Sequence, residues 1–240
     1  MTTTLDENNG SGKLFALAIL ALVAAGIVGV IFAAQGRAEL PPQVALSEAA
    51  PAIEGIEDFE TISGVPFDPT FPQLVVDGDP LPPLIDSATD EFVGTEFPTI
   101  TSTNFEGEEV SIEADGRAKV IYYLAHGCPF CQAEVPEVID LVEEGLLPED
   151  LDIYGVVTLT DPGQGEYPPS AWLENENWDF PVLLDDDVAT AFNAAGSTGT
   201  PFIVALDGDN NILARVSGRI QPAEAVVTFW EETAASEAAG

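Results

Sequence analysis

The chain runs to 240 residues, 42 of them acidic and 6 basic, for a formal net charge of −36. That balance argues against a nucleic-acid partner and against lying on an anionic membrane face, because like charges repel phosphates and lipid headgroups. The length allows one ordinary domain with appendages. Two cysteines confined to one four-residue stretch fit sulfur used for chemistry rather than for stapling.

Residues 1–13 are a short polar tail. Residues 14–34 form an uncharged apolar run between Lys13 and Arg37, long enough to cross a bilayer as a helix. A cleaved signal peptide is the rival, but its apolar core usually spans about 7–15 residues, so an uncleaved single-pass anchor is expected. Residues 35–72, rich in Pro, Ala and Glu and without a sustained period, read as an acidic tether. A folded domain with an N-terminal extension then fills 73–236, with a short strand at 74–76 and an irregular wrap at 81–84. The acidity suits solubility in a salty medium, where self-repulsion is screened; attraction of basic partners is the sharper alternative.

Within the domain, 99–105 and 110–112 flank the turn signal Glu106-Gly107 and predict a hairpin. Residues 119–125 are, after Lys119, apolar and rich in β-branched or aromatic side chains, as in a buried parallel strand. Beyond Cys131 the apolar period changes: Val135, Val138 or Ile139, and Val142 make the stripe of a helix ending near Gly145. A second buried strand at 152–158 completes a β-α-β unit with a right-handed crossover. Gly and Pro interrupt 161–179, with a short helix near 170–174 and Trp172 and Trp178 as packing residues. A strand end at 181–184 and a helix at 188–195 follow, with Asp185, Asp186 and Asp187 as a solvated turn at the helix start. Strands at 200–206 and 212–216 enclose the turn 207–211. The spacing of Asp207, Asp209 and Asn211 resembles a calcium loop, but Ile212 stands where that loop requires glycine. The closing helix is expected at 222–232, with Pro222 in its first turn and 234–240 frayed.

Cys128-Pro129-Phe130-Cys131 therefore sits at a strand-to-helix junction, both cysteines on one side of the first turn. Free N–H groups and the positive dipole end of the helix favour a thiolate at Cys128. Zinc needs three or four ligands, and the chain has no further cysteine and one histidine. A structural disulfide closing so short a loop removes little chain entropy. Thiol–disulfide exchange is the better reading, with Pro129 and Phe130 setting the environment of the sulfur pair.

The segment 126–136, His-Gly-Cys-Pro-Phe-Cys-Gln-Ala-Glu-Val-Pro, resembles the active-site segment of the TlpA/ResA-like, membrane-anchored thioredoxin-fold oxidoreductases. With Tyr-Pro-Pro-Ser-Ala-Trp-Leu at 167–173 it is similar to a branch from high-GC Gram-positive bacteria. The resemblance covers about residues 80–235. It implies an α/β, thioredoxin-like fold: a central mixed sheet with helices on both faces, after one N-terminal transmembrane helix. It also implies a catalytic domain outside the cytoplasm. Cys128 becomes the nucleophile and Cys131 the buried resolving cysteine. Pro201, preceded by Thr200, becomes the cis-proline lying against the pair, its neighbour's backbone free to pair with an incoming peptide. One departure stands out: Gly127 occupies a position usually held by tryptophan, which removes an aromatic wall beside the sulfurs.

Two residues keep alternatives open. Glu134, three residues after Cys131, either accepts a proton from that cysteine or is a plain surface carboxylate. His126 either stabilises the thiolate when protonated or hydrogen-bonds to backbone. Pro129, Phe130, Thr200 and His126 make the candidate substrate-contacting set. No metal or organic cofactor is implied. Partners are expected to be proteins with thiols or disulfides, the membrane through the N-terminal helix, and an upstream redox protein. From another class, a Cu(I) metallochaperone would use Cys128, Cys131 and His126. A peroxidase of the same superfamily lacks support, since 124–127 does not supply its threonine-containing loop.

Overall fold

Alternation along one strand organises the domain. In the computed structural model, which describes residues 74–236, β4 (Ala118–Leu124) is closed to solvent along its whole length. Its Val120, Tyr122 and Leu124 face one apolar cluster, and Ile121 and Tyr123 face a second. Successive side chains of a strand point to opposite sides, so a continuous apolar run builds two cores at once. The expected polar tail, membrane span and tether at 1–72 lie outside the described residues, among which no helix is long and apolar enough to cross a membrane.

A three-stranded antiparallel sheet comes first, in the order β1 (Val75–Asp77), β2 (Thr99–Thr103), β3 (Glu109–Ile112). The β2–β3 turn holds Gly107 at φ 81°, a left-handed conformation that suits glycine. The five-stranded mixed sheet has the order β6-β5-β4-β7-β8. There β5 (Leu151–Val157) runs parallel to β4 and β6 (Val182–Leu184) parallel to β5. On the other side β7 (Phe202–Leu206) is antiparallel to β4 and to β8 (Ile212–Ser217).

One face is covered by α1 (Pro129–Glu143), α2 (Pro169–Asn175) and α4 (Ala223–Ala234), which contribute Val135, Val138, Trp172, Leu173, Val226 and Trp230. The other face carries, among the described residues, the one α-helix α3 (Thr190–Ala194) and is otherwise closed by the small sheet and the extension, through Leu81, Leu84, Phe97, Ile100 and Ile112. Helices thus lie on both faces as expected, but the second cover is mostly β-structure. The wrap at 81–84 is irregular, and it is pinned by Leu81 and Leu84 N–H groups donating to Ala194 and Gly196 carbonyls.

Helix α3 is shorter than the expected 188–195. Ala189 is left-handed at φ 57°, and Asp185 and Asp186 accept from the N–H groups of Ala191, Phe192 and Thr190. The acidic run therefore caps a helix start. The 207–211 stretch is the expected hairpin turn, with Asp207 accepting from Asn211 N–H. Pro222 stands just before α4 rather than in its first turn.

Candidate active site

The parallel strand β4 delivers its C-terminal end directly to the start of α1. Cys128 is the residue at that boundary, with extended backbone (φ −87°, ψ 117°), and Pro129 begins the helix. Proline suits that place because its missing N–H would have had no helical partner. No side chain caps the helix start, so its N–H groups face Cys128. Burial by itself would raise the Cys128 thiol, but the Thr200 hydroxyl and the N–H groups of Cys131 and Phe130 outweigh it, and the thiol is held below its ordinary range. Hydrogen bonds that favour the charged form explain the sign.

Cys131 lies one turn further, 0% exposed, its sulfur 3.5 Å from the Ala125 N–H. Burial, with the nearby charge of Cys128, pushes its thiol up to about 12. Both cysteines are free thiols, and Cys128 Sγ donates to the Thr200 carbonyl at 3.2 Å. Thr200-Pro201 is a cis peptide, as the family resemblance implied, and it opens β7 beside the cysteines. The structure thus brings Cys128, Cys131, Thr200 and Pro201 together.

Glu134 is not a surface carboxylate. It sits on the buried stripe of α1, 1% exposed, with Oε2 accepting from Arg219 Nε at 2.8 Å. Oε1 is closed to water and has no partner at hydrogen-bonding geometry. Arg219 is shared, since it also donates to Glu137 and to the Ala133 carbonyl. Burial dominates and raises the Glu134 carboxyl to about 7, against the pull of Arg219 and with the push of Glu137. Sequence reasoning missed Arg219. The signal was scarcity: among 74–236 only Arg117, Lys119, Arg215 and Arg219 are basic, and each is paired with a carboxylate.

His126 takes the backbone role. It is fully buried, its Nδ1 donates to the Gly165 carbonyl at 2.8 Å, and its Nε2 accepts from the Asp161 N–H at 3.2 Å. Both ring nitrogens thus hold the loop 159–168, and neither is left for the thiolate or for a copper ion. Among the described residues, no three His, Cys, Asp or Glu side chains cluster to hold a metal ion. Gln132, also missed, donates to the His126 carbonyl at 2.7 Å. Trp172 and Trp178 are buried packing residues.

Pro129 and Phe130 lie at the surface, Phe130 being 65% exposed, with Leu159 and Tyr167 exposed on the neighbouring loop. A groove of about 430 Å³ opens at the opposite end of the sheet, lined by Arg117, Leu147, Asp152 and Phe180. Of the two cysteines only Cys128 is partly open to solvent, and Cys131 is buried behind it.

A cysteine pair of unequal acidity at a strand-to-helix junction, against a cis-proline, on a mixed sheet between helices, defines a thioredoxin-like oxidoreductase. The Redoxin family model matches residues 92–227, more than half of the chain, and the chain belongs to that family. Similar solved structures include the thioredoxin domain of a thiol-disulfide oxidoreductase from Bacteroides vulgatus, at 20% identity over 58% of this chain and 96% of that one, with a TM-score of 0.46. StoA from Bacillus subtilis matches at 17% identity over 55% and 96%, TM-score 0.47. A secreted Mycobacterium tuberculosis disulfide oxidoreductase homologous to E. coli DsbE matches at 21% identity over 56% and 94%, TM-score 0.43. No curated protein matches the chain.

Proposed function

We propose that the protein is an extracytoplasmic thiol–disulfide oxidoreductase, tethered by a transmembrane helix at 14–34, that exchanges electrons with cysteine pairs of substrate proteins. The observation that carries this reading is the division between the two thiols: Cys128 accessible and acidic, Cys131 buried and held protonated. Thiolate is the attacking species, so only one of the two can start the reaction.

In the reducing direction, the Cys128 thiolate attacks one sulfur of a substrate disulfide. That S–S bond breaks, a mixed disulfide forms, and the other substrate sulfur leaves as thiolate. Cys131 then gives its proton to Glu134, whose raised carboxyl suits a proton acceptor near neutral pH. The Cys131 thiolate attacks Cys128 Sγ, the mixed disulfide breaks, and the second substrate thiolate departs. Two electrons pass to the substrate, and the enzyme is left with a Cys128–Cys131 disulfide for an upstream partner to reduce. Oxidation of substrate dithiols is the reverse sequence.

Replacing Cys131 with serine should leave attack intact and abolish release, so that substrates accumulate covalently on Cys128. Cys128→Ser should give no adducts and should slow alkylation by iodoacetamide at neutral pH. Non-reducing electrophoresis of both variants from native membranes reads this out; the same adducts with Cys128→Ser would overturn the assigned roles. For topology, a membrane-impermeant thiol reagent should label Cys128 on intact, pre-reduced cells. Labelling only after lysis would place the domain inside.

A further inference from the structure

The loop 159–168 is built as a fixed wall. His126 holds it at the two points already described, and Tyr167 packs edge-on against the His126 ring at 5.9 Å. Asp161 binds the Gly163 N–H through Oδ1 at 2.8 Å, and its carbonyl accepts from the Gln164 N–H at 3.0 Å. Leu159 and Glu166 are both held left-handed, at φ 52° and 59°. Non-glycine residues persist there only where surrounding contacts over-determine them.

This wall meets the residue before the nucleophile. A Cβ at Gly127 would stand 2.8 Å from Gln164 Cβ and 3.1 Å from its Oε1. Gln164 therefore fills the space that a side chain at 127 would take. Here glycine answers a need for room rather than for an unusual backbone angle. Gln164 Nε2 reaches Asp161 Oδ2 at 3.4 Å, and its side chain is otherwise exposed. The sheet order puts β5 on one side of β4 and β7 on the other. The β5 loop thus brings Gln164 to the Gly127-Cys128 step from one side, and the start of β7 brings Thr200 from the other.

We propose that Gln164 is a specificity-determining residue that hydrogen-bonds the backbone of a polypeptide seated over Cys128. This rests on the thiol–disulfide reading above and deepens it by naming the residue that holds the backbone of the polypeptide carrying the disulfide. A small disulfide needs only the sulfur of Cys128. A polypeptide that extends from Cys128 across Gly127 meets the carboxamide, which offers it both a donor and an acceptor.

The test compares the full-length wild type, Gln164→Ala and Gly127→Ala, each reacted with the interchain disulfides of insulin and with hydroxyethyl disulfide. Gln164→Ala should lower the ratio of kcat/KM for insulin over hydroxyethyl disulfide about 2- to 12-fold, the worth of a neutral hydrogen bond. The loss should fall mainly on KM. Gly127→Ala keeps the carboxamide but displaces it, and should lower the same ratio. Ratios equal to the wild type's in both variants overturn the role of Gln164 while leaving the thiol–disulfide reading intact. A wild type inert towards both disulfides overturns that reading and this inference with it.

Discussion

Arg215 on β8 and Arg219 just beyond its end each meet a carboxylate closed to water, and the two carboxyls are shifted in opposite directions. Arg215 forks both oxygens of Asp90 at 2.7 Å, and its remaining nitrogen donates to the Pro82 and Ala195 carbonyls. The Phe92 N–H adds a further bond to Asp90, and the Phe92 ring lies 5.4 Å from the guanidinium. Burial pushes the Asp90 carboxyl up, but these bonds outweigh it and hold it below its usual range. Arg219 gives Glu134 one bond, divides the rest with Glu137 and Ala133, and leaves Oε1 unpartnered, so burial wins and the carboxyl rises to about 7. A fully matched pair fastens the extension to the core. A half-matched pair leaves, on the same helix as Cys131, a carboxyl that can take or release a proton near neutrality.

The largest effect should come from breaking the matched pair. Asp90→Asn strands Arg215, whose side chain is 1% exposed, and should cost about 3–5 kcal/mol of unfolding free energy in urea. Cys128 alkylation under native conditions should not change. A loss below about 1 kcal/mol would mean that the pair is open to water in solution.

Next comes the half-matched pair, which should respond to pH with the opposite sign from Asp90. Glu134 binds a proton more tightly folded than unfolded, with the carboxyl moving from 4.5 to about 7. Its contribution to stability is therefore full below pH 4.5 and is lost as pH rises through 7, by about 3 kcal/mol in all. Glu134→Gln should remove that decline, so the variant gains on the wild type between pH 4.5 and 8. Asp90, whose carboxyl is lowered, contributes instead at neutral pH and loses its contribution in acid. Parallel stability profiles for wild type and Glu134→Gln would show an ordinary carboxylate at 134.

The smallest effect separates both buried pairs from the surface. Salt screens exposed charges far more than buried ones, so raising NaCl from 0.05 to 1 M should relieve repulsion among exposed carboxylates in a chain of formal charge −36. A rise in Tm of about 2–4 °C, equivalent to about 1 kcal/mol, is expected by calorimetry. A flat response would show those charges to be spaced harmlessly.

Much of this was legible in residue order. The change of period at Cys131 marked the strand-to-helix junction, and β4 and α1 fall where the apolar spacing put them. Periodicity reports local geometry, and these elements are long enough to express it. Short elements were less readable: α3 shrank because the Asp185 and Asp186 caps set its start, a choice made by side-chain hydrogen bonds rather than by hydropathy. Glu134 shows the other limit. Its spacing put it three residues after Cys131, but whether it is closed off from water there depends on Arg219, distant in sequence.

By itself, then, the sequence determined the cysteine pair at a helix start, the β-α-β unit around it and an acidity that disfavours nucleic acid. Tertiary structure alone decided that His126 serves the loop 159–168, that Gln164 fills the space beside Gly127, and that Arg215 and Arg219 meet different carboxylates. The reason is one of range: hydropathy and capping act over a few neighbouring residues, whereas burial and ion pairing depend on which distant segments the sheet order brings together.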